Sequence, residues 1–182
     1  DISGPDGVPD GKVDANYDRC ILGTTTPKFY YGLNINATYK GFDFSALLQG
    51  LGGHHRLIGS YMAYAFYNGE NRWTAENPNK WAEYPRLETL NGGDPNLQTS
   101  DYWVRNASFL RIKNVQLGYS LPRSVISKIG LSAARIYVSC ENLHNFTSFY
   151  TGWDPENEIG TGDSPSYYPI NRIYSFGLSL NF

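Results

Sequence analysis

The final stretch of the chain alternates without a break. Tyr174, Phe176, Leu178, Leu180 and Phe182 fall on one side of an extended strand, and Ser175, Gly177, Ser179 and Asn181 on the other, because strand side chains alternate with period two. A helix would scatter both sets. Residues 29–39 repeat the pattern, with Phe29, Tyr31, Leu33, Ile35, Ala37 and Tyr39 set against Tyr30, Gly32, Asn34, Asn36 and Thr38. Lys40-Gly41 then makes a two-residue turn, and Phe42, Phe44, Ala46 and Leu48 resume against Asp43, Ser45 and Gln49, which predicts a tight hairpin. Aromatics gather at its ends: Tyr39 and Phe42 flank the turn, while Phe29 and Tyr31 sit at the far end. Two more strands follow at 109–121 and 135–145. In the first, Val115, Leu117, Tyr119 and Leu121 oppose Gln116, Gly118 and Ser120; in the second, Ile136, Val138 and Cys140 oppose Tyr137, Ser139 and Glu141. Arg111 and Lys113 share parity with the apolar set of their strand. Either they snorkel to a polar boundary, or a bulge near Asn114 flips the register.

Five strands are thus predicted, at 29–39, 42–51, 109–121, 135–145 and 173–182. Arms of about ten residues suit a tilted strand crossing a bilayer and exceed the usual length in soluble sheets. The connections alternate as tight turn, long loop, short connection and long loop. Outer-membrane barrels show this asymmetry, with short turns on the periplasmic side and long loops outside. Loops at 1–28, 52–108 and 146–171 are therefore expected to be extracellular. A short helix is predicted within 54–67, ended by Asn68-Gly69, and one helical turn over 122–129, closed by Gly130. Five strands cannot close a membrane barrel, which needs about eight. An open sheet in lipid leaves edge amides unpaired at several kcal/mol each, so the remaining strands are expected from further polypeptide. The same alternation also fits a two-layer sandwich burying its apolar face.

Composition narrows the choice. Of 182 residues, 15% are aromatic, with 15 Tyr, 19 Gly and a single Met, a mixture suited to strands and interfacial aromatic belts. The formal net charge of -2 and pI near 5.9 supply no basic stripe for a nucleic acid. No run of eighteen apolar residues forms a transmembrane helix, yet a mean hydropathy of -0.44 is compatible with a barrel, whose strands present only alternate residues to lipid. Asp1 opens in a polar loop without an initiating Met, and targeting information is expected upstream. Cys20 and Cys140 could form one bridge, but nothing brings them close, and two separate thiols are expected.

Three clusters carry candidate chemistry. Trp73, Trp81, Tyr84, Arg86, Trp103 and Trp153 lie in the long loops beside Asn, Asp and Arg. Such aromatics stack on sugar rings or grip peptide backbones when exposed, and pack the loop on itself when not. Asp6, Asp10 and Asp14 recur at every fourth position around Gly7 and Gly11, a spacing of oxygen ligands that suits calcium. Val8 stands where a loop of the EF-hand type carries Asp or Asn, and no Glu closes the ring, so a solvated acidic turn is the alternative. His54 and His55 are adjacent and point to opposite sides of an extended chain, which argues against a shared metal. No zinc-protease helix, paired-cysteine motif, phosphate loop or nucleophile elbow is present.

The order of motifs resembles the C-terminal part of the SusC/RagA family of TonB-dependent outer-membrane transporters. The matching pieces are Asp10-Gly11-Lys12-Val13-Asp14 leading to Gly23 and Pro27, Tyr31-Gly32-Leu33-Asn34, Tyr39-Lys40-Gly41-Phe42-Asp43, Gln49-Gly50, and Asn77-Pro78 with Pro85-Arg86. The run from Trp103 to Tyr119, then Glu141-Asn142-Leu143 and Asp154-Pro155-Glu156, complete the set. The resemblance implies an all-β, antiparallel transmembrane barrel of about 22 strands, of which these are the last five. It also implies an upstream plug, a SusD-like surface lipoprotein as partner, and TonB-driven import of oligosaccharides or peptides across the outer membrane of a Gram-negative bacterium. No catalytic residue is implied. The remaining alternatives are a secreted carbohydrate-binding β-sandwich and a hydrolase domain whose other catalytic groups lie upstream.

Overall fold

The structure, a computed structural model, describes residues 1–58, 71–87, 98–150, 153–157 and 170–182. Its elements in chain order are β1 (Phe29–Tyr39), β2 (Phe42–Gly52), β3 (His55–Leu57), β4 (Val104–Asn106), β5 (Phe109–Ser120), α1 (Arg123–Ile126), β6 (Ala133–Thr147) and β7 (Ile173–Asn181). The five long strands form one antiparallel sheet in the order β1-β2-β5-β6-β7, and β3 pairs separately with β4. Each long strand therefore lies beside the next long strand of the sequence, an up-and-down meander. None of the described helices is long and apolar enough to cross a membrane.

The hairpin turn follows from its two residues. Lys40 and Gly41 have φ of 46° and 87°, the double left-handed geometry whose twist matches that of the flanking strands. Near the turn, facing residues line up in rows across all five strands. Ala37, Phe44, Leu117, Val138 and Phe176 form one cross-strand row, and Thr38, Asp43, Gly118, Tyr137 and Gly177 form the next. The first row lies on the apolar face, the second on the polar face. Nothing described covers the apolar face: Phe176, Leu178 and Leu180 are 74%, 58% and 41% exposed. A sandwich would have buried them under a second sheet.

A bulge settles the orientation of Arg111. Leu47 pairs with Asn114 and Leu48 with Ile112, so Lys113 is an extra residue that shifts the strand's phase. The same point interrupts the pairing with β6, where Asn114 faces Glu141 and Ile112 faces His144; the slack there holds Asn142 at φ 52°. Leu110 and Ile112 thereby join the apolar face, and Arg111 turns to the polar one. Bulge, not snorkelling, is the outcome.

Two sequence expectations change. The helix predicted within 54–67 begins instead with a strand, because His55–Leu57 pairs with Val104–Asn106; residues 59–67 lie outside the described residues. Strand β6 runs further at both ends than 135–145, held by partners Asn181 and Phe109. Among the described residues no group of three or more His, Cys, Asp or Glu is placed to hold a metal. Two of the three acids that the sequence offers for calcium accept backbone amides. Asp10 accepts from Lys12 N–H at 2.9 Å and Asp14 from Asn16 N–H at 2.7 Å, as Asx turns do. Cys20 and Cys140 are both unpaired, the latter buried.

Candidate functional site

At the end of the sheet opposite the Lys40-Gly41 turn, the loops build their own small core. Ile58, Tyr84, Trp103, Ala107, Phe149 and Tyr150 bury one another, with Tyr102 and Trp153 packed alongside. Hydrogen bonds join the loop segments: Tyr102 Oη donates to Ala82 O at 3.0 Å, and Tyr150 Oη to Tyr102 O at 3.3 Å. Burial pushes both phenols above their ordinary pKa, so they remain donors at any physiological pH. The Arg105 guanidinium lies over both rings, 5.6 Å from the Tyr102 centroid and 5.2 Å from that of Tyr150, a favourable cation–π arrangement.

A second tie fastens this core to the sheet. The buried Arg111 side chain reaches Asp154, and lies 3.3 Å from Glu156, while Lys113 also meets Glu156. Pro155 between the two acids is fully buried, and Asp154 additionally accepts from the Glu156 N–H at 3.0 Å. The bulge makes this possible, since without it Arg111 would face the other way.

On this platform residues 71–87 shape a polar concavity of about 260 Å³, lined by Asn71, Arg72, Asn77, Asn79, Trp81 and Glu83. Backbone pairing holds its floor, with Trp73 N–H donating to Tyr84 O at 3.0 Å and Tyr84 N–H to Asn71 O at 3.3 Å. The Arg72 guanidinium donates to Pro85 O at 3.0 Å, and Asn71 Nδ2 to Glu83 at 3.4 Å. Trp81 is 81% exposed, its backbone fixed by an Asx turn in which Trp81 N–H donates to Asn79 Oδ1 at 2.9 Å. A flat apolar face with amides and a carboxylate around it can stack on a ring or a peptide plane and hydrogen-bond its edge.

The six residues picked out by sequence therefore divide. Trp81 reaches the concavity largely exposed, with the Lys80 ammonium 5.0 Å from its ring centroid. Trp73 is half-buried beside it and Arg86 is exposed. Tyr84 and Trp103 are buried in the loop core, and Trp153 packs against that core, so the first two have no ring face to offer a ligand. Their apolar bulk was better used closing the platform. Asn71 and Glu83 were not singled out by sequence, and only the pairing of 71–73 with 84 brings them to Trp81.

No family model matches the chain. Its curated relatives include the TonB-dependent receptor P3 of Formosa agariphila, 32% identical over 91% of this chain and 17% of that protein. The TonB-dependent receptor SusC of Bacteroides thetaiotaomicron is 30% identical over 94% of this chain and 17% of that protein. Among solved structures, the RagAB peptide importer in its closed-closed state superposes with a TM-score of 0.70 at 28% identity, covering 98% of this chain and 20% of that one. The chain spans less than a fifth of the length of these curated relatives.

Proposed function

We infer the function from one premise: the chain belongs to the SusC/RagA family of TonB-dependent outer-membrane transporters and forms part of their transmembrane β-barrel. It lies in the outer membrane, its apolar face toward lipid. We propose that the whole protein is an active importer of oligosaccharides or oligopeptides, capped by a SusD-like lipoprotein and energised by TonB, and that this stretch supplies its last five strands. The observation that supports this reading is the apolar row from Ala37 to Phe176, which crosses all five strands with no layer of the described residues over it. The short connections then face the periplasm and the loop platform faces outward. Transport asks no catalytic group of this chain. In this reading Trp81 and its concavity meet incoming substrate.

The test is uptake by cells carrying the full-length protein with Trp81→Ala. Losing one stacked aromatic face of about 0.5–1.5 kcal/mol predicts a rise of roughly two- to thirteenfold in the concentration for half-maximal uptake. Barrel assembly and surface abundance should stay unchanged. Wild-type uptake would remove Trp81 from the path, and uptake persisting without TonB would overturn the importer reading.

A further inference from the structure

We propose that the connection between β5 and β6, residues 121–132, is an interfacial anchor resting in the phospholipid headgroup layer. In this arrangement Val125 and Ile129 enter the outermost acyl carbons, and Arg123 and Lys128 meet lipid phosphates. The connection lies at the end of the sheet that also carries the Lys40-Gly41 turn. It is firmly held there. Leu121 N–H donates to Ala134 O at 2.9 Å, Ser132 N–H to Asn181 O at 2.8 Å, and Leu131 N–H to Ile126 O at 3.2 Å. Gly130, at φ 75°, closes the turn.

On this fixed backbone the aliphatic residues are split. Ile126 is buried, and α1 packs against β6, whereas Val125 and Ile129 are 52% and 70% exposed. Turns facing water are built from Gly, Asn, Asp and Ser, which satisfy the backbone locally; two outward aliphatics one turn apart are misplaced there and suited to a lipid boundary. Continuity says which boundary. Leu121 extends the apolar set of β5, Ala134 pairs with Leu180 in that same face, and Ala134 is itself buried, so the connection prolongs the surface already assigned to acyl chains. Charge says which headgroup atoms. Residues 121–132 contain Arg123 and Lys128 and no carboxylate, the combination that binds an amphipathic turn to anionic phosphate.

The experiment uses the full-length protein in a cysteine-free background, reconstituted into vesicles of phosphatidylethanolamine and phosphatidylglycerol. Single cysteines replacing Val125, Ile129 or Ser127 carry a bimane fluorophore, and quenching is read from lipids bearing a nitroxide near the acyl carbonyl. The anchor predicts about threefold stronger quenching at 125 and 129 than at 127. Weaker quenching at both sites is expected when Arg123→Gln and Lys128→Gln are combined. Equal, solvent-like emission at all three sites would overturn the proposal. So would protection from lipid and aqueous quenchers together, which would assign the surface to a protein partner. The proposal rests on the barrel reading, and a label at Phe176 separates the two failures: lipid quenching there with none at 125 and 129 rejects the anchor alone.

Discussion

Arg111 shows how much one residue's direction decides. A guanidinium at the bilayer midplane of a barrel's lipid face costs about 2–4 kcal/mol, and here it turns instead to a buried pair with Asp154 and Glu156. Removing one partner of such a pair leaves uncompensated buried charge at about 3–5 kcal/mol. Arg111→Met should therefore loosen the loop end, seen as faster protease cleavage near Asp154, while Arg111→Met with Asp154→Leu should recover much of the loss. His54 adds a pH dependence. It is buried with neither ring nitrogen hydrogen-bonded, and burial, then Arg56 and His55, push its pKa below the ordinary imidazole value. The unfolded segment thus takes up a proton first as pH falls. Its contribution to stability is full above the ordinary imidazole pKa and is lost as pH drops below it. The protection factor of the Ala107 amide, which donates to His54 O at 3.0 Å, should therefore fall as pH drops below the ordinary imidazole range, and His54→Phe should abolish that fall.

At the scale of elements, the long strands were legible because period two is written in single residues such as Phe42, Phe44 and Ala46. The bulge was legible only as a choice, since Arg111 and Lys113 violate the pattern equally and only the pairing counts which residue is extra. Deleting Lys113, the extra residue, should restore strict alternation and leave Arg111 on the polar face, because Ile112 then leads directly into Asn114 in their present pairings with Leu48 and Leu47. Assembly is then expected to survive, read as a retained heat-modifiable band on gels; loss of the band would mean that Lys113 is not the extra residue. The pair β3 and β4 was not legible at all, because three residues show no period and His55-Arg56-Leu57 finds Val104–Asn106 only through the loop core. The clamp from Arg111 to Asp154 was hidden for the same reason: its partners lie 43 residues apart, and no local pattern links them. Trp103 and Tyr84 read as ligand-facing because aromatic residues in polar loops look alike whether they stack on a substrate or on one another.

For the whole molecule, a sheet with one polar and one apolar face must put the apolar one somewhere. Among the described residues no protein covers it, the buried apolar cluster sits in the loops, and the outer edges of β1 and β7 find no partner strand in the sheet. Lipid and further barrel strands account for both facts, the second because unpaired edge amides are intolerable in hydrocarbon. The most direct measurement is a nitroxide scan of positions 174 to 181 in the full-length protein in bilayers, comparing collisions with oxygen, which concentrates in acyl chains, against a water-soluble nickel chelate. Period-two alternation is expected, with 174, 176, 178 and 180 favouring oxygen and 175, 177, 179 and 181 showing little of it. A flat profile, or even-numbered positions shielded from both reagents, would contradict a lipid-facing sheet.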